Sequence, residues 1–240
     1  MPSILVYHTI DHADGQNDCP EMISPERFEQ QLSWLARNRQ VIPLVDTLRP
    51  GRSGAVAITF DDGYRDNLTI ALPLLEKYRL PMTLFVVAGF VGRENYLSPD
   101  ELCQMAKHPL VTIGSHGLWH RHFTKLSLKD ARFELIESQR RLRNMIDAPV
   151  DLLAWPYGEC NPELESLSAE CGYRASWSVW KGNNGAHSRW RVPLGNRDHM
   201  LRFVAKAAGV YALTEAKWHR FTSRSDEQRQ AAAYNLSFEQ

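Results

Sequence analysis

Two adjacent carboxylates, Asp61 and Asp62, follow the apolar run 55–60 within the stretch TFDDGYRDN. Like charges this close raise each other's pKa, and a bound cation or a proton is the usual relief. A second polar stretch, GSHGLWHRH, follows the apolar run 110–113 and sets His116 and His120 four residues apart. One helical turn or a tight loop at that spacing aims both imidazoles at a single ion. Such a pair also arises by chance, so its position after a buried strand counts for more than its spacing. Two neutral imidazoles with one carboxylate form a common ligand set that leaves places for water or substrate. A third stretch, LAWPYG at 153–158, again follows an apolar run. It reads as a rigid turn, either an ordinary one or one presenting a backbone N–H.

These residues need strands that end at a common mouth, and the rhythm of the chain supplies them. The run 55–60 is short, rich in small and β-branched residues, and shows no polar alternation. It reads as a strand buried on both faces, which implies a parallel sheet covered by helices. Runs at 4–7, 82–87, 110–113, 152–154 and 173–179 read the same way, with a shorter one at 41–45 broken by Pro43. Helix starts separate them. Ser24-Pro25 and Ser98-Pro99 pair an N-cap with proline at the first helical position, and Ser98 with Glu101 makes a capping box. Leu68, Leu72, Leu75 and Tyr78 share one helical side before Pro81 stops them. Ser127 to Asp130 caps a long amphipathic helix, Asn161-Pro162 opens another, and 201–210 reads as helical. Alternating strands and helices argue for an α/β fold with a parallel sheet, open or closed into a barrel. In a barrel the chemistry gathers at the C-terminal ends of the strands.

Composition sets the bounds. The 240 residues fit one large domain, and 43% hydrophobic content supports a sizeable core. With 28 basic and 28 acidic residues the formal net charge is zero, which gives no electrostatic case for nucleic acid or an anionic membrane surface. No apolar segment is long enough to span a bilayer, and none resembles a signal peptide, so a cytoplasmic location is expected for the chain as it stands. Cys19, Cys103, Cys160 and Cys171 show no zinc-ribbon spacing and read as isolated thiols behaving as small hydrophobes, with a Cys160–Cys171 bridge left open. Residues 1–221 are expected to form one domain and 222–240 a polar tail.

TFDDGY, SHGLWH and AWPYG, in this order, resemble the motifs of the NodB-type polysaccharide deacetylases, carbohydrate esterase family 4. The resemblance spans roughly 4–198 and implies a distorted (β/α) barrel with fewer strands than a full eight-fold one. It also implies that Asp62, His116 and His120 hold a divalent metal, that Asp61 is the general base, and that the Tyr157 backbone N–H lines an oxyanion hole. The ligand set suits Zn²⁺, while Ni²⁺, Co²⁺ or Fe²⁺ would accept the same residues. The implied reaction is hydrolysis of N-acetyl groups from an N-acetylhexosamine glycan.

Two departures stand out. Where the family's third motif carries an arginine, this chain has Ala154, and no late Leu-x-His segment supplies an acid. His187, His199 and His219 are the only later histidines, and none sits in a matching context. The pair Tyr7-His8 on the first strand, together with that alanine, resembles the subgroup acting on poly-β-1,6-N-acetylglucosamine, which implies His8 as general acid. Trp190-Arg191-Val192-Pro193 resembles a later motif of the same subgroup. Arg191 is expected either to position Asp61 through a bidentate guanidinium contact or to be a surface arginine. Trp119, Trp155 and Tyr64 are candidate faces for sugar rings, and Asn183 and Asn184 candidate donors to sugar hydroxyls. Two readings compete with the polymer deacetylase. One is a deacetylase of a lipid- or nucleotide-linked acetamido sugar or a small amide. The other is a catalytically weak carbohydrate-binding protein that keeps the metal.

Overall fold

The structure is a computed structural model, and the residues it describes are 1–11, 19–179, 185–187 and 189–209. The chain opens with β1 (Ser3–Tyr7), then a small two-stranded sheet of β2 (Thr9–Ile10) and β3 (Met22–Ile23), and α1 (Pro25–Asn38). It continues through β4 (Val56–Phe60), α2 (Leu72–Tyr78), β5 (Met82–Val86), α3 (Pro99–Ala106), β6 (Val111–Ser115) and α4 (Leu128–Ile146). The last part holds β7 (Leu152–Ala154), α5 (Pro162–Glu170), β8 (Ala175–Ser178), β9 (Arg189–Trp190), β10 (Val192–Pro193) and α6 (Met200–Ala207). The expected caps form: Ser24, Ser127 and Asn161 each accept a backbone N–H of the first turn, and Ser98 with Glu101 closes a capping box.

Eight strand segments pair in the order β10-β1-β4-β5-β6-β7-β8-β9, every neighbour parallel. The two ends of that order are one stretch of chain. Residues 189–190 pair with β8, residues 192–193 pair with β1, and Arg191 alone lies between them. The Arg191 N–H donates to Ser178 O and the Leu194 N–H to Val6 O, both at 2.9 Å. The sheet thus curls round until its edges share one strand, which is the distorted barrel with fewer than eight full strands. The sequence pattern did not offer this strand, because four residues split between two partners leave no apolar run to read.

The period of two along each strand sorts the core into an inside and an outside. Ile4, Ala57, Phe85, Leu152, Ala154, Ala175 and Trp177 pack together from strands around the ring and fill the interior. Leu5, Tyr7, Ile58, Phe60, Met82 and Leu84 point outward and pack under Phe28, Leu32 and Leu35 of α1 and their neighbours on the other helices. The bore is narrow. A Cβ on Gly114 would come 2.5 Å from the Phe85 ring, so glycine there lets that ring fill it. Burial on both faces explains why these strands lack polar alternation.

All four cysteines are free, which closes the open question of a Cys160–Cys171 bridge. Among the described residues no helix is long and apolar enough to cross a membrane.

Candidate active site at the barrel mouth

The inward register carries straight into the chemistry. Counting by twos, His8 follows Ile4 and Val6 on β1, Asp61 follows Ala57 and Thr59 on β4, and His116 follows Gly114 on β6. Arg191 occupies the inward position of the seam strand. In-register pairing of Tyr7 with Phe60 sets the ends of β1 and β4 side by side, and the Asp61 N–H donates to Tyr7 O at 3.0 Å. Four strands therefore deliver one polar group each to the same opening.

Asp61 and Asp62 part company there. Asp61 stays on the inward register, only 2% exposed, while Asp62 takes a left-handed backbone at φ 74° that turns it toward the histidines. Fully buried Arg191 donates through Nη1 to Asp61 Oδ1 at 2.7 Å and through Nη2 to Oδ2 at 2.8 Å. Nη1 also lies 3.3 Å from Thr59 Oγ1, and the guanidinium stands over the Phe85 ring at 5.1 Å. Burial alone would raise the Asp61 pKa, but the Arg191 guanidinium, with help from His116, brings it down to about 2. A planar fork on both carboxylate oxygens fixes orientation as well as charge.

Asp62 Oδ1 is buried and accepts no hydrogen bond among the described residues. It lies 3.6 Å from His116 Nε2 and 3.4 Å from His120 Nε2, and the three groups can offer ligand atoms within 4.8 Å of one another. A tetrahedral ion with bonds of about 2.0–2.1 Å needs ligand atoms roughly 3.4 Å apart, and the Asp62 oxygen stands near that spacing from each imidazole. The tautomer suits them too. His116 Nδ1 lies 2.9 Å from Ala154 O, where it donates and leaves the Nε2 lone pair facing Asp62. Burial pushes the His116 pKa down to about 4, so the imidazole is neutral, as a ligand must be. Asp62, His116 and His120 fit a divalent cation.

His8 follows the end of β1, the strand paired with β4. Burial would lower its pKa, but the carboxylates of Glu21, Asp62 and Asp61 outweigh that and hold it above the ordinary value. Its Nε2 is 3.9 Å from Glu21 Oε1. The backbone beside it is tied to the turn after Asp61 and Asp62. Asn67 Nδ2 donates to His8 O at 2.9 Å, and Asp66 accepts from Thr9 Oγ1 at 2.5 Å, Ile10 N at 3.2 Å and Asn67 Nδ2 at 2.7 Å. Asn67 also begins a single π-helical turn, Asn67–Ala71, ahead of α2, a local widening that recurs at functional sites. Neither Asp66 nor Asn67 was singled out from the sequence. The DN pair in TFDDGYRDN was the available signal.

Tyr157 has a left-handed backbone at φ 60°, and its ring lies between two imidazoles, stacked on His122 at 3.6 Å and edge-on to His120 at 4.6 Å. Trp119 is 40% exposed, with Arg93 and Arg141 over its ring at 5.4 and 5.8 Å. Tyr64 stacks on Tyr96 at 4.9 Å. Trp155 must be corrected as a sugar-facing residue. It is fully buried between barrel and helices, its ring against Phe123 and its Nε1 donating to Ser176 Oγ at 3.0 Å, so no face remains for a ligand. Asn183, Asn184, Trp180, His12 and His219 lie outside the described residues. His187 is paired with Ser168 Oγ at 2.9 Å, and His199 stands at the N-cap of α6.

A parallel barrel with an Asp–His–His cluster and an arginine-held carboxylate at its C-terminal mouth defines a class of α/β barrel with a candidate metal centre. Residues 49–176 match the family of polysaccharide deacetylases, and the chain belongs to that family. It is similar to the putative polysaccharide deacetylase YxkH of Bacillus subtilis, 27% identical over 179 residues that cover 71% of this chain and 62% of the relative. It is also similar to poly-β-1,6-N-acetyl-D-glucosamine N-deacetylase of Staphylococcus aureus, 26% identical over 179 residues, 65% of this chain and 61% of the relative. The matched part thus spans about three-fifths of these relatives. The fold is that of the Streptococcus pyogenes deacetylase PplD in complex with acetate, at TM-score 0.77 and 21% identity over 86% of this chain and 97% of that one. IcaB from Ammonifex degensii shares it at TM-score 0.73 and 21% identity over 86% and 96%.

Proposed function

We propose that the protein is a metal-dependent deacetylase that hydrolyses N-acetyl groups of an N-acetylhexosamine glycan and releases acetate. One observation carries the reading. Two neighbouring carboxylates are given different partners, Asp61 a buried arginine and Asp62 a pair of imidazole Nε2 atoms. A divalent cation held by Asp62, His116 and His120, with Zn²⁺ the expected ion, would acidify water at the mouth and polarise the acetamide carbonyl. Asp61, kept ionised by Arg191, takes the proton of the attacking water. The Tyr157 backbone N–H faces the developing oxyanion. His8, its pKa raised by its carboxylate neighbours, protonates the departing amine, so the sugar leaves with a free amino group.

Arg191 also weighs against a protein that binds glycan without turnover. Ala154 leaves no arginine on β7, yet the seam strand supplies a guanidinium to the same carboxylate. The Staphylococcus aureus relative's name makes β-1,6-linked N-acetylglucosamine oligomers the first substrate to try. Acetate release from them should require Zn²⁺, stop with chelator and return when the metal is restored. No release from oligomers, from lipid- or nucleotide-linked acetamido sugars, or from simple acetamides by metal-loaded protein would sink the hydrolase reading.

A further inference from the structure

Helix α4 carries a carboxylate that the reaction above does not use. Glu134 is 1% exposed, and its Oε2 accepts from the Leu118 N–H and the Trp119 N–H, each at 3.0 Å. Those amides lie midway along the loop from His116 to His120. We propose that Glu134 is a positioning residue that holds this loop in the shape that brings both imidazoles onto Asp62; the inference rests on the metal reading of that cluster.

The loop needs such a hold. Gly117 sits at φ 80° and His120 at φ 53°, and the latter is a conformation that a residue with a Cβ adopts only when its surroundings impose it. One side of the loop is tied to the end of β5. His116 N–H donates to Val86 O at 2.8 Å, while Ala88 N–H and Gly89 N–H donate to Gly117 O at 3.1 Å and Leu118 O at 2.8 Å. Gly89 is required for that approach, since a Cβ there would meet the Trp119 ring at 2.4 Å. The β5 side satisfies the loop's carbonyls, and Glu134 satisfies the amides from the other side. Leu118 is 1% exposed, so removing the carboxylate would leave its N–H buried without its acceptor. Two hydrogen bonds to one oxygen at the centre of the loop fix the exit direction toward His120, the ligand that follows.

The test separates position from charge. Glutamine at 134 keeps a carbonyl oxygen able to accept both amides, whereas methionine keeps the length and removes the acceptor. Zn²⁺ dissociation constants are measured by competition with a chromophoric chelator, with circular dichroism as the check on folding. Glu134→Met should weaken Zn²⁺ binding by about 10–100-fold, the range found when groups behind metal ligands are removed, and Glu134→Gln should stay within about threefold of the wild type. A folded Glu134→Met that binds as tightly as the wild type overturns the inference, and so does an equal loss in both variants, which would assign the effect to charge. If the methionine variant does not fold, amide exchange in the wild type decides. The Leu118 and Trp119 amides should gain protection on Zn²⁺ binding, and unchanged exchange overturns the proposal. A wild-type protein that fails to bind Zn²⁺ or any other divalent ion would instead remove the metal reading itself.

Discussion

The two walls of the barrel mouth are held by different means. On the wall formed by β4, β5 and β6, groups close in sequence meet: Asp61 with Asp62, His116 with His120. Backbone hydrogen bonds with the β5 end and two that Glu134 accepts hold the histidine loop. On the seam wall formed by β10 and β1, single side chains far apart in sequence do the holding. Arg191 reaches Asp61 across 130 positions, and Asp66 reaches Thr9 across 57. The first wall is a scaffold that orders its own ligands. The second depends on buried polar pairs, whose worth lies in orientation and in keeping a charge more than in stability.

If the comparison holds, damage to the first wall should abolish binding of the ion, and damage to the second should leave binding while spoiling turnover. His116→Ala removes a ligand that also ties to Ala154 O. Acetate release should fall by roughly 10³-fold or more, and Zn²⁺ affinity should fall with it. Tight Zn²⁺ binding by this variant would break the assignment. Arg191→Lys keeps a positive charge but loses the fork on both Asp61 oxygens. Zn²⁺ affinity should change little, while kcat/KM falls by about 10²-fold, the cost of a misplaced catalytic group. The acid limb of the pH–rate profile should also move up, because Asp61 is no longer brought down to about 2. An unchanged profile would return Arg191 to a structural role.

The same contrast explains what the sequence made legible. The first wall is built from contiguous motifs after buried strands, so the paired carboxylates, the histidine pair and the strands that precede them could be read from residue types and spacing, while the family resemblance implied which carboxylate joins the histidines. The barrel itself could be read as a parallel sheet, because strands buried on both faces lose their polar alternation. The seam strand could not be read as a strand. Its two halves serve different neighbours, and a buried arginine between them looks like a loop residue. Glu134 escaped for a related reason. A carboxylate whose partners are backbone amides of another segment has no sequence signature, since any residue type can supply the amide. Trp155 erred the other way. A tryptophan inside a motif looks like a ligand face, but its position before the Pro156 turn points it between barrel and helices.

Asp66 gives the smallest and most discriminating effect, because it asks whether the seam wall is held at a cost. Burial pushes its carboxyl up to about 6, against which the hydrogen bonds from Thr9, Ile10 and Asn67 work only in part. An unfolded aspartate titrates near ~3.9. The folded state therefore binds the proton more tightly, so the associated stability is fully present below the unfolded pKa and is lost as pH rises through about 6. The window is distinct from that of Asp61, whose contribution is present above the unfolded value and is lost as pH falls toward about 2. Asp66→Asn is permanently neutral and cannot titrate. The stability difference between wild type and variant, read from urea unfolding, should shift in favour of the wild type by on the order of 2 kcal/mol between pH 7 and pH 4. The trend, not the offset, is diagnostic, since asparagine replaces one acceptor oxygen with a donor facing Thr9 or Ile10. A difference that stays constant over that range would mean that Asp66 is ionised without penalty. The carboxylate beside the His8 turn would then be ordinary packing, and the contrast between a self-ordered wall and one held at a cost would lose its second half.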